Sequence, residues 1–312
     1  MKKLMLGNEA AARGLYEAGC ALISSYPGTP STEITERAAQ YDEIYCEWAP
    51  NEKVAMEVAF GAALAGKRSA CVMKHVGLNV AADPLFTIAY TGVNAGMVIC
   101  VADDPGMHSS QNEQDSRHYA VSAKIPMLEP ADSAEARDFA KRAFELSEEY
   151  DTPVFLKLCT HISHSQSIVE LGQRVEPARR PYEKDIAKYV MVPGNARPRH
   201  PIVEERTRRL TAFAETTDLN REEMGEDTSI GIITSSTSYQ YAREVFGPKA
   251  SILKLGLVNP LPKQKILDFA AKVDKVLVLE ELDPVIEDHC RALGLDVLGK
   301  DVLPLEGEFS QG

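Results

Sequence analysis

Glu47-Trp-Ala-Pro-Asn-Glu-Lys-Val-Ala-Met-Glu-Val-Ala-Phe-Gly-Ala-Ala-Leu-Ala-Gly66 is the stretch whose reading decides the fold. A short β run at 43–46 leads into it, Pro50 ends the strand, and Asn51 stands where a helix cap belongs. The predicted helix, 51–65, is rich in small residues: Ala55, Ala59, Gly61, Ala62, Ala63 and Ala65, with Gly66 beyond. Small side chains let a helix approach a neighbouring backbone or subunit closely. Working outward, the same strand-then-helix unit recurs. Further strands are expected at 21–24, 69–73, 97–102 and 152–158, with helices at 31–40, 79–90 and 133–150. Alternation at this spacing means βαβ units and a mainly parallel sheet covered on both faces.

The Pro- and Arg-rich stretch 172–209 breaks the rhythm and reads as a linker on the surface. A second series then starts, with strands at 229–234, 252–255 and 275–279 and helices at 239–246, 263–273 and 285–293. The expected fold class is therefore α/β, two doubly wound, mainly parallel-sheet domains, divided as 1–165, a linker 166–227, and 228–312. A length of 312 residues agrees with two cores.

Lys and Arg number 34 against 46 Asp and Glu, a net charge of −12, which argues against nucleic-acid or anionic-membrane partners. No apolar run is long enough to span a bilayer. Asn8 and Glu9 interrupt the short basic and apolar start, so the expected location is cytoplasmic. The six cysteines, Cys20, Cys46, Cys71, Cys100, Cys159 and Cys290, show no C-x-x-C spacing, so no metal ligand is assigned and most read as core residues. His161 and His164 lie three apart without nearby Cys or Asp partners. Phosphate loops of the G-x-G-x-x-G and G-x-x-x-x-G-K-[ST] kinds and a G-x-S-x-G elbow are all absent from the sequence, which moves attention to loops at strand ends.

One such loop is Tyr26-Pro-Gly-Thr-Pro-Ser-Thr32. Pro27 and Pro30 stiffen it, Gly28 permits close backbone approach, and Thr29 offers a hydroxyl. By pattern alone it is also a helix entry, with Thr29 as cap and Pro30 at the first helical position. Glu52 has the same double reading. An acid in a first helical turn is favoured by the helix dipole alone, by about 0.3–1 kcal/mol.

Taken together, these segments resemble the thiamine diphosphate-dependent 2-oxoacid:ferredoxin oxidoreductase family, and within it the front half of the alpha subunits of indolepyruvate:ferredoxin oxidoreductases. Those chains share a Glu in this place, followed by Gly-Ala (here Gly61-Ala62) and Gly (here Gly66). The resemblance runs the length of the chain and is strongest over 5–165. It implies a thiamine pyrimidine-binding fold followed by a domain like the C-terminal one of transketolase. Glu52 would be the catalytic group, and Pro27, Gly28, Thr29 and Glu52 would bind the cofactor. A carboxyl bonded to N1′ of the aminopyrimidine favours the imino tautomer that takes the C2 proton, and it works best with its pKa raised by desolvation. Thr29, His75, Asn79 and His108 would meet substrate. His75 and Asn79 fall in the 74–79 loop, and His108 in a polar stretch, 103–115, that reads as a cover over the site. From the residues alone, His75 could equally be a turn histidine bonded to backbone, and His108 a solvated one.

The family's alpha chain continues into a diphosphate-binding part with Gly-Asp-Gly…Asn and a ferredoxin-like segment with clustered cysteines. Neither motif occurs here. The resemblance thus implies half of a thiamine diphosphate site. Mg and 4Fe-4S clusters would lie on another part or on a partner chain, as in a fragment or a split gene, and this polypeptide alone should be inactive. A 2-oxo acid, coenzyme A and ferredoxin would be the partners of the full enzyme, with a beta subunit, in a homo- or hetero-oligomer of at least two chains. The alternatives are the same chemistry on another acid such as pyruvate, and a non-catalytic scaffold. The basic stretch, with Arg174, Arg179, Arg180, Arg197 and Arg199, could meet coenzyme A phosphates or simply solvate an acidic protein. The acids of Leu279-Glu-Glu-Leu-Asp283 are expected to cap the next helix or lie at an interface.

Overall fold

The computed structural model describes residues 1–178 and 180–310; Arg179 of the basic stretch and the last two residues of the predicted second domain lie outside them. The first half runs β1 (Lys2–Leu6), α1 (Gly7–Glu17), β2 (Leu22–Ser25), α2 (Thr32–Ala38), β3 (Tyr45–Trp48), α3 (Glu52–Leu64), β4 (Ser69–Lys74), α4 (His75–Thr91) and β5 (Met97–Asp103). It continues with α5 (Arg117–Ala123), β6 (Met127–Leu128), α6 (Ser133–Tyr150), β7 (Val154–Cys159), α7 (Thr160–His164) and β8 (Gln166–Glu170). Then come α8 (Ile186–Tyr189), α9 (Pro193–Thr216), β9 (Arg221–Glu223), β10 (Asp227–Ser235), α10 (Ser238–Phe246), β11 (Ala250–Leu255) and β12 (Leu257–Asn259). The chain closes with α11 (Lys263–Ala270), β13 (Val276–Leu279), α12 (Val285–Ala292) and β14 (Val297–Leu298).

A seven-stranded sheet has the order β12-β6-β7-β5-β4-β2-β3, and a five-stranded one the order β14-β13-β10-β11-β9. Their strands are parallel, except that β12 and β9 run antiparallel to their neighbours. Every residue of β4, β5 and β7 is buried, as a parallel strand between two helical layers requires. On one face Leu15 and Phe144 from α1 and α6 pack with Ile23, Val98 and Leu156 of the sheet. On the other, Met56, Leu78 and Leu85 from α3 and α4 join a core that continues through Phe155 to Ile233, Leu253 and Phe269 of the second series. The two sheets thus share apolar packing, and β12 crosses over to complete the edge of the first.

The stretch read as a surface linker is the main correction. Residues 193–216 form the longest helix, α9, and Gln166–Glu170 pairs with β1. Val203, Arg206, Leu210 and Ala214 make its buried stripe. Pro198 and Pro201 and the run of basic residues hid this pattern, since prolines in a helix interior ordinarily break it. The arginines hold carbonyls at the ends of neighbouring helices. Arg199 donates to Tyr90 O at 2.9 Å, and Arg206 to Ala89 O at 2.7 Å and Asp151 O at 2.9 Å. Arg174 does likewise with Tyr16 O, and Arg180 donates to Asn94 O in the turn between α4 and β5.

Candidate active site

In the larger sheet the chain leaves β2 towards the edge strand β3, then returns past β2 to β4 and moves inward to β5. The direction of winding therefore reverses between β2 and β4. The crevice at the carboxyl ends of those strands is where a doubly wound sheet binds ligands. Three of the segments singled out in the sequence converge there.

Glu52 opens α3. Asn51 is extended and its Oδ1 accepts from Val54 N at 3.0 Å, so the helix cap is supplied by Asn51 and not by the Glu52 carboxylate. Glu52 is 8% exposed, yet among the described residues none donates a hydrogen bond to its carboxylate. It packs against Gly77 in the first turn of α4. Its charge also reaches Cys71 in β4, whose thiol is pushed up by burial first and then by Cys100 and Glu52. A buried carboxylate with unused acceptor capacity is costly unless something else satisfies it.

The 26–31 loop follows β2. Helix α2 begins at Thr32 with Ser31 as cap, two residues later than the entry through Thr29 and Pro30 that the pattern suggested. The Thr29–Pro30 bond is cis. Gly28 N donates to Thr32 Oγ1 at 2.8 Å, Ser31 Oγ to Gly28 O at 2.8 Å, and Asn8 Nδ2 to Pro30 O at 2.7 Å. These bonds leave Pro27 and Thr29 exposed, while Gly28 lies on the Lys74 side chain, where a Cβ would come within 2.9 Å of Cδ.

The stretch 74–79, read as a loop, is the start of α4. His75 is its first residue and is 1% exposed. Its Nε2 lies 3.1 Å from Asn112 O. A carbonyl only accepts, so Nε2 donates here, and Nδ1 is buried without a partner among the described residues. Asn79 lies one turn on, its Oδ1 taking the Tyr119 hydroxyl at 2.6 Å. Next to His75, Lys74 Nζ donates to Ser109 O at 2.8 Å, and burial lowers its pKa. The junction of β4 and α4 therefore clamps residues 104–116 at two points.

Asp104, the residue after β5, ties the segment to itself and to α7, accepting from Ser109 N at 2.8 Å, Ser110 Oγ at 2.6 Å and Thr160 Oγ1 at 2.9 Å. Burial pushes its carboxyl up, but these bonds hold it below the usual range. His108 stays exposed at 53% and pairs with Glu308 at 3.0 Å, as does His161 at 3.3 Å. Glu52, Gly28 and His75 are thus brought together at the switch point. Thr29 lies at its rim, while Asn79 and His108 are held by Tyr119 and Glu308.

A buried charged cluster just behind was not foreseen as a unit. Arg117, 2% exposed, donates to Asp115 at 2.5 Å, to Glu280 at 2.5 Å, and to Glu281 O and Asp283 O at 2.9 Å. Glu280 also accepts from Ile286 N and Glu287 N at the start of α12, so it both caps the next helix and lies at the seam between the sheets. Its pKa is raised by burial, against the pull of Arg117. Burial also pushes the Asp115 carboxyl up, but the Arg117 guanidinium more than offsets that and holds it at about 2.

Residues 13–228 match the family described as pyruvate flavodoxin/ferredoxin oxidoreductase, thiamine diP-binding. The chain is 43% identical to the indolepyruvate oxidoreductase subunit IorA of Archaeoglobus fulgidus, over 100% of this chain and 52% of that protein. It is 44% identical to the subunit of the same name from Methanothermobacter thermautotrophicus, over 96% and 51%. The chain spans about half the length of these curated relatives. Its fold is shared with a 2-oxoglutarate:ferredoxin oxidoreductase from Magnetococcus marinus, at a TM-score of 0.79 and 19% identity, over 96% of this chain and 61% of that one. A split-gene transketolase aligns over 94% of this chain and 86% of its own at a TM-score of 0.55 and 15% identity.

Proposed function

Because this chain belongs to the pyruvate flavodoxin/ferredoxin oxidoreductase family of thiamine diphosphate-binding proteins, we propose that its switch-point crevice takes the aminopyrimidine end of that cofactor. The chain would serve there as part of the alpha subunit of an enzyme that oxidatively decarboxylates arylpyruvates. Residues 1–165 would be the pyrimidine-binding domain, 166–227 a structured connector that carries β8 and α9, and 228–312 the transketolase-like domain. The carrying observation is Glu52: a buried carboxylate at the switch point, unpaired among the described residues and not needed as a helix cap.

The residues fit the pyrimidine end. The Glu52 carboxyl, with no hydrogen bond from a described residue, is free to exchange a proton with N1′, which is the proton-transfer role the cofactor needs. Pro27 and Gly28 would line the ring, Gly28 by its backbone. Thr29, exposed at the rim, would offer its hydroxyl to the substrate's carboxylate or keto oxygen, and His75 has an Nδ1 without a partner among the described residues. Asn79 and His108 are proposed as more distant substrate contacts. The clamped 104–116 segment would keep water from the reacting centre. Thiamine diphosphate, once bound, supplies the nucleophilic carbon and the electron sink for decarboxylation.

The diphosphate, its Mg and the 4Fe-4S clusters are assigned to a partner part. Coenzyme A, ferredoxin and a beta subunit complete the proposed cytoplasmic assembly, and the small residues of α3 are the proposed contact with another chain. Arylpyruvate is preferred over other acids because the relatives at 43% and 44% identity are indolepyruvate oxidoreductase subunits. In the reconstituted enzyme, kcat/KM for indolepyruvate and phenylpyruvate should exceed that for pyruvate and 2-oxoglutarate by at least about tenfold, or about 1.4 kcal/mol. Equal rates, or a preference for pyruvate, would remove the aryl assignment.

A further inference from the structure

We infer that Gly77 is the positioning residue for the Glu52 carboxylate, a role that rests on the reading of Glu52 given above. Gly77 is the third residue of α4 and is buried. Its backbone does not require glycine, for it is not among the glycines with positive φ. Helix propensity disfavours glycine here, at about 1 kcal/mol relative to alanine. The reason for its presence is a single neighbour. A Cβ at this position would meet three heavy atoms first, and all belong to Glu52: Oε1, then Cγ at 2.5 Å and Cδ at 2.6 Å. At such separations something must shift. The backbone of α4 is held by the His75 bond to Asn112 O on one side and the Leu78 and Leu85 packing on the other. The glutamate side chain, with no hydrogen bond to a described residue, is what can yield.

The absent Cβ is thus a notch into which the Glu52 side chain is laid. With α3 fixing its Cα through the Asn51 cap and α4 closing off one side, the carboxylate has few positions left in the crevice. Preorganisation of this kind matters for proton transfer, because a displacement of about 1 Å can cost on the order of 100-fold in rate. Gly77→Ala would leave the carboxylate present but displaced.

The test is a pair of double-mutant cycles in the protein, one on stability and one on turnover. In the Glu52→Ala background nothing opposes the new methyl, so Gly77→Ala should raise the melting midpoint by a few degrees, as its helix propensity dictates. With Glu52 present that gain should vanish or reverse. The same increase in both backgrounds overturns the proposal, as does failure of the Glu52→Ala/Gly77→Ala protein to fold, since then Gly77 answers to some other neighbour. In the reconstituted enzyme, Gly77→Ala should lower kcat at least about tenfold with little change in the thiamine diphosphate dissociation constant, read from the emission of Trp48, the chain's one tryptophan. Combined with Glu52→Gln it should cost no more than Glu52→Gln alone, because both act through one carboxylate. Additive losses contradict it. Sign reversal in the stability cycle together with full activity of Glu52→Gln would keep the steric contact and discard the catalytic reading, so the two failures are distinguishable.

Discussion

Glu52→Gln in the reconstituted enzyme is expected to retain the fold and the cofactor and to lose at least about 100-fold in turnover, the usual scale for a positioned acid–base group. The substitution is nearly isosteric, so the packing against Gly77 and the Asn51 cap should survive. What changes is the inventory of donors and acceptors. A glutamine amide cannot share a proton, and its NH2 presents donors where the glutamate has only acceptors. If the site binds the aminopyrimidine as proposed, affinity should change little while kcat falls. Near-wild-type activity would take Glu52 out of the mechanism.

The second large effect concerns stability. Arg117→Met should destabilise the protein by about 3–5 kcal/mol, the cost of leaving buried partners unpaired, and lower its melting midpoint on the order of 10 °C. Arg117 joins Asp115 at the end of the 104–116 segment to Glu280 and two carbonyls beyond β13. No apolar side chain can replace a guanidinium that holds four acceptors at once. The pH dependence follows from Asp115. Its folded pKa of about 2 lies below the unfolded value near 3.9, so its contribution is complete above roughly pH 4 and is lost as pH falls towards 2. Without Arg117 the buried Asp115 should favour its protonated form. The gap in stability between wild type and variant should therefore narrow between about pH 4 and 2. A constant gap across that range, read by denaturant titration, would show that the guanidinium–carboxylate pairing is not what Arg117 contributes.

Much of the fold was legible because it is written in local pattern. The strands expected at 69–73 and 97–102 are Ser69–Lys74 and Met97–Asp103, and the helix expected at 133–150 is Ser133–Tyr150. Continuous burial on both faces makes such strands unbroken apolar runs, and Asp132 and Asp151 bracket α6 at its two ends. The second series was located within a few residues for the same reasons. What failed were segments whose signals conflict. Helix α9 carries Pro198 and Pro201 inside it, and α4 begins four residues early because His75 opens it without a side-chain cap. Strand β12 could not be anticipated at all, since its partner β6 lies in the other half of the chain.

The candidate site divides along the same line. Asn51 and Glu52 announce themselves by a strand end, a proline and a cap. The contacts that give Glu52 its surroundings do not. Gly77 is distinguishable from any other glycine only once α3 and α4 are laid side by side. Lys74 and His75 become clamps only because residues 104–116 fold back over them. Arg117 and Glu280 are paired across the seam between the two sheets. Spacing along one chain carries no record of such meetings, whereas a charged residue closing an otherwise apolar strand, as Lys74 does, is a signal that could have been weighed.

Residues 1–312 are proposed to supply the pyrimidine half of a thiamine diphosphate site, the diphosphate half being assigned to a partner part. Calorimetric titration of residues 1–312 with thiamine diphosphate, with and without Mg, tests it most directly. Contacts from Pro27, Gly28 and Glu52 would hold only part of the cofactor, so weak or undetectable binding by residues 1–312 alone is expected. Addition of a partner carrying the diphosphate motif should give tight, Mg-dependent binding, because the diphosphate would then gain a divalent cation and its oxygen ligands. Tight, metal-dependent binding by residues 1–312 alone would contradict the account and place the diphosphate site within this chain.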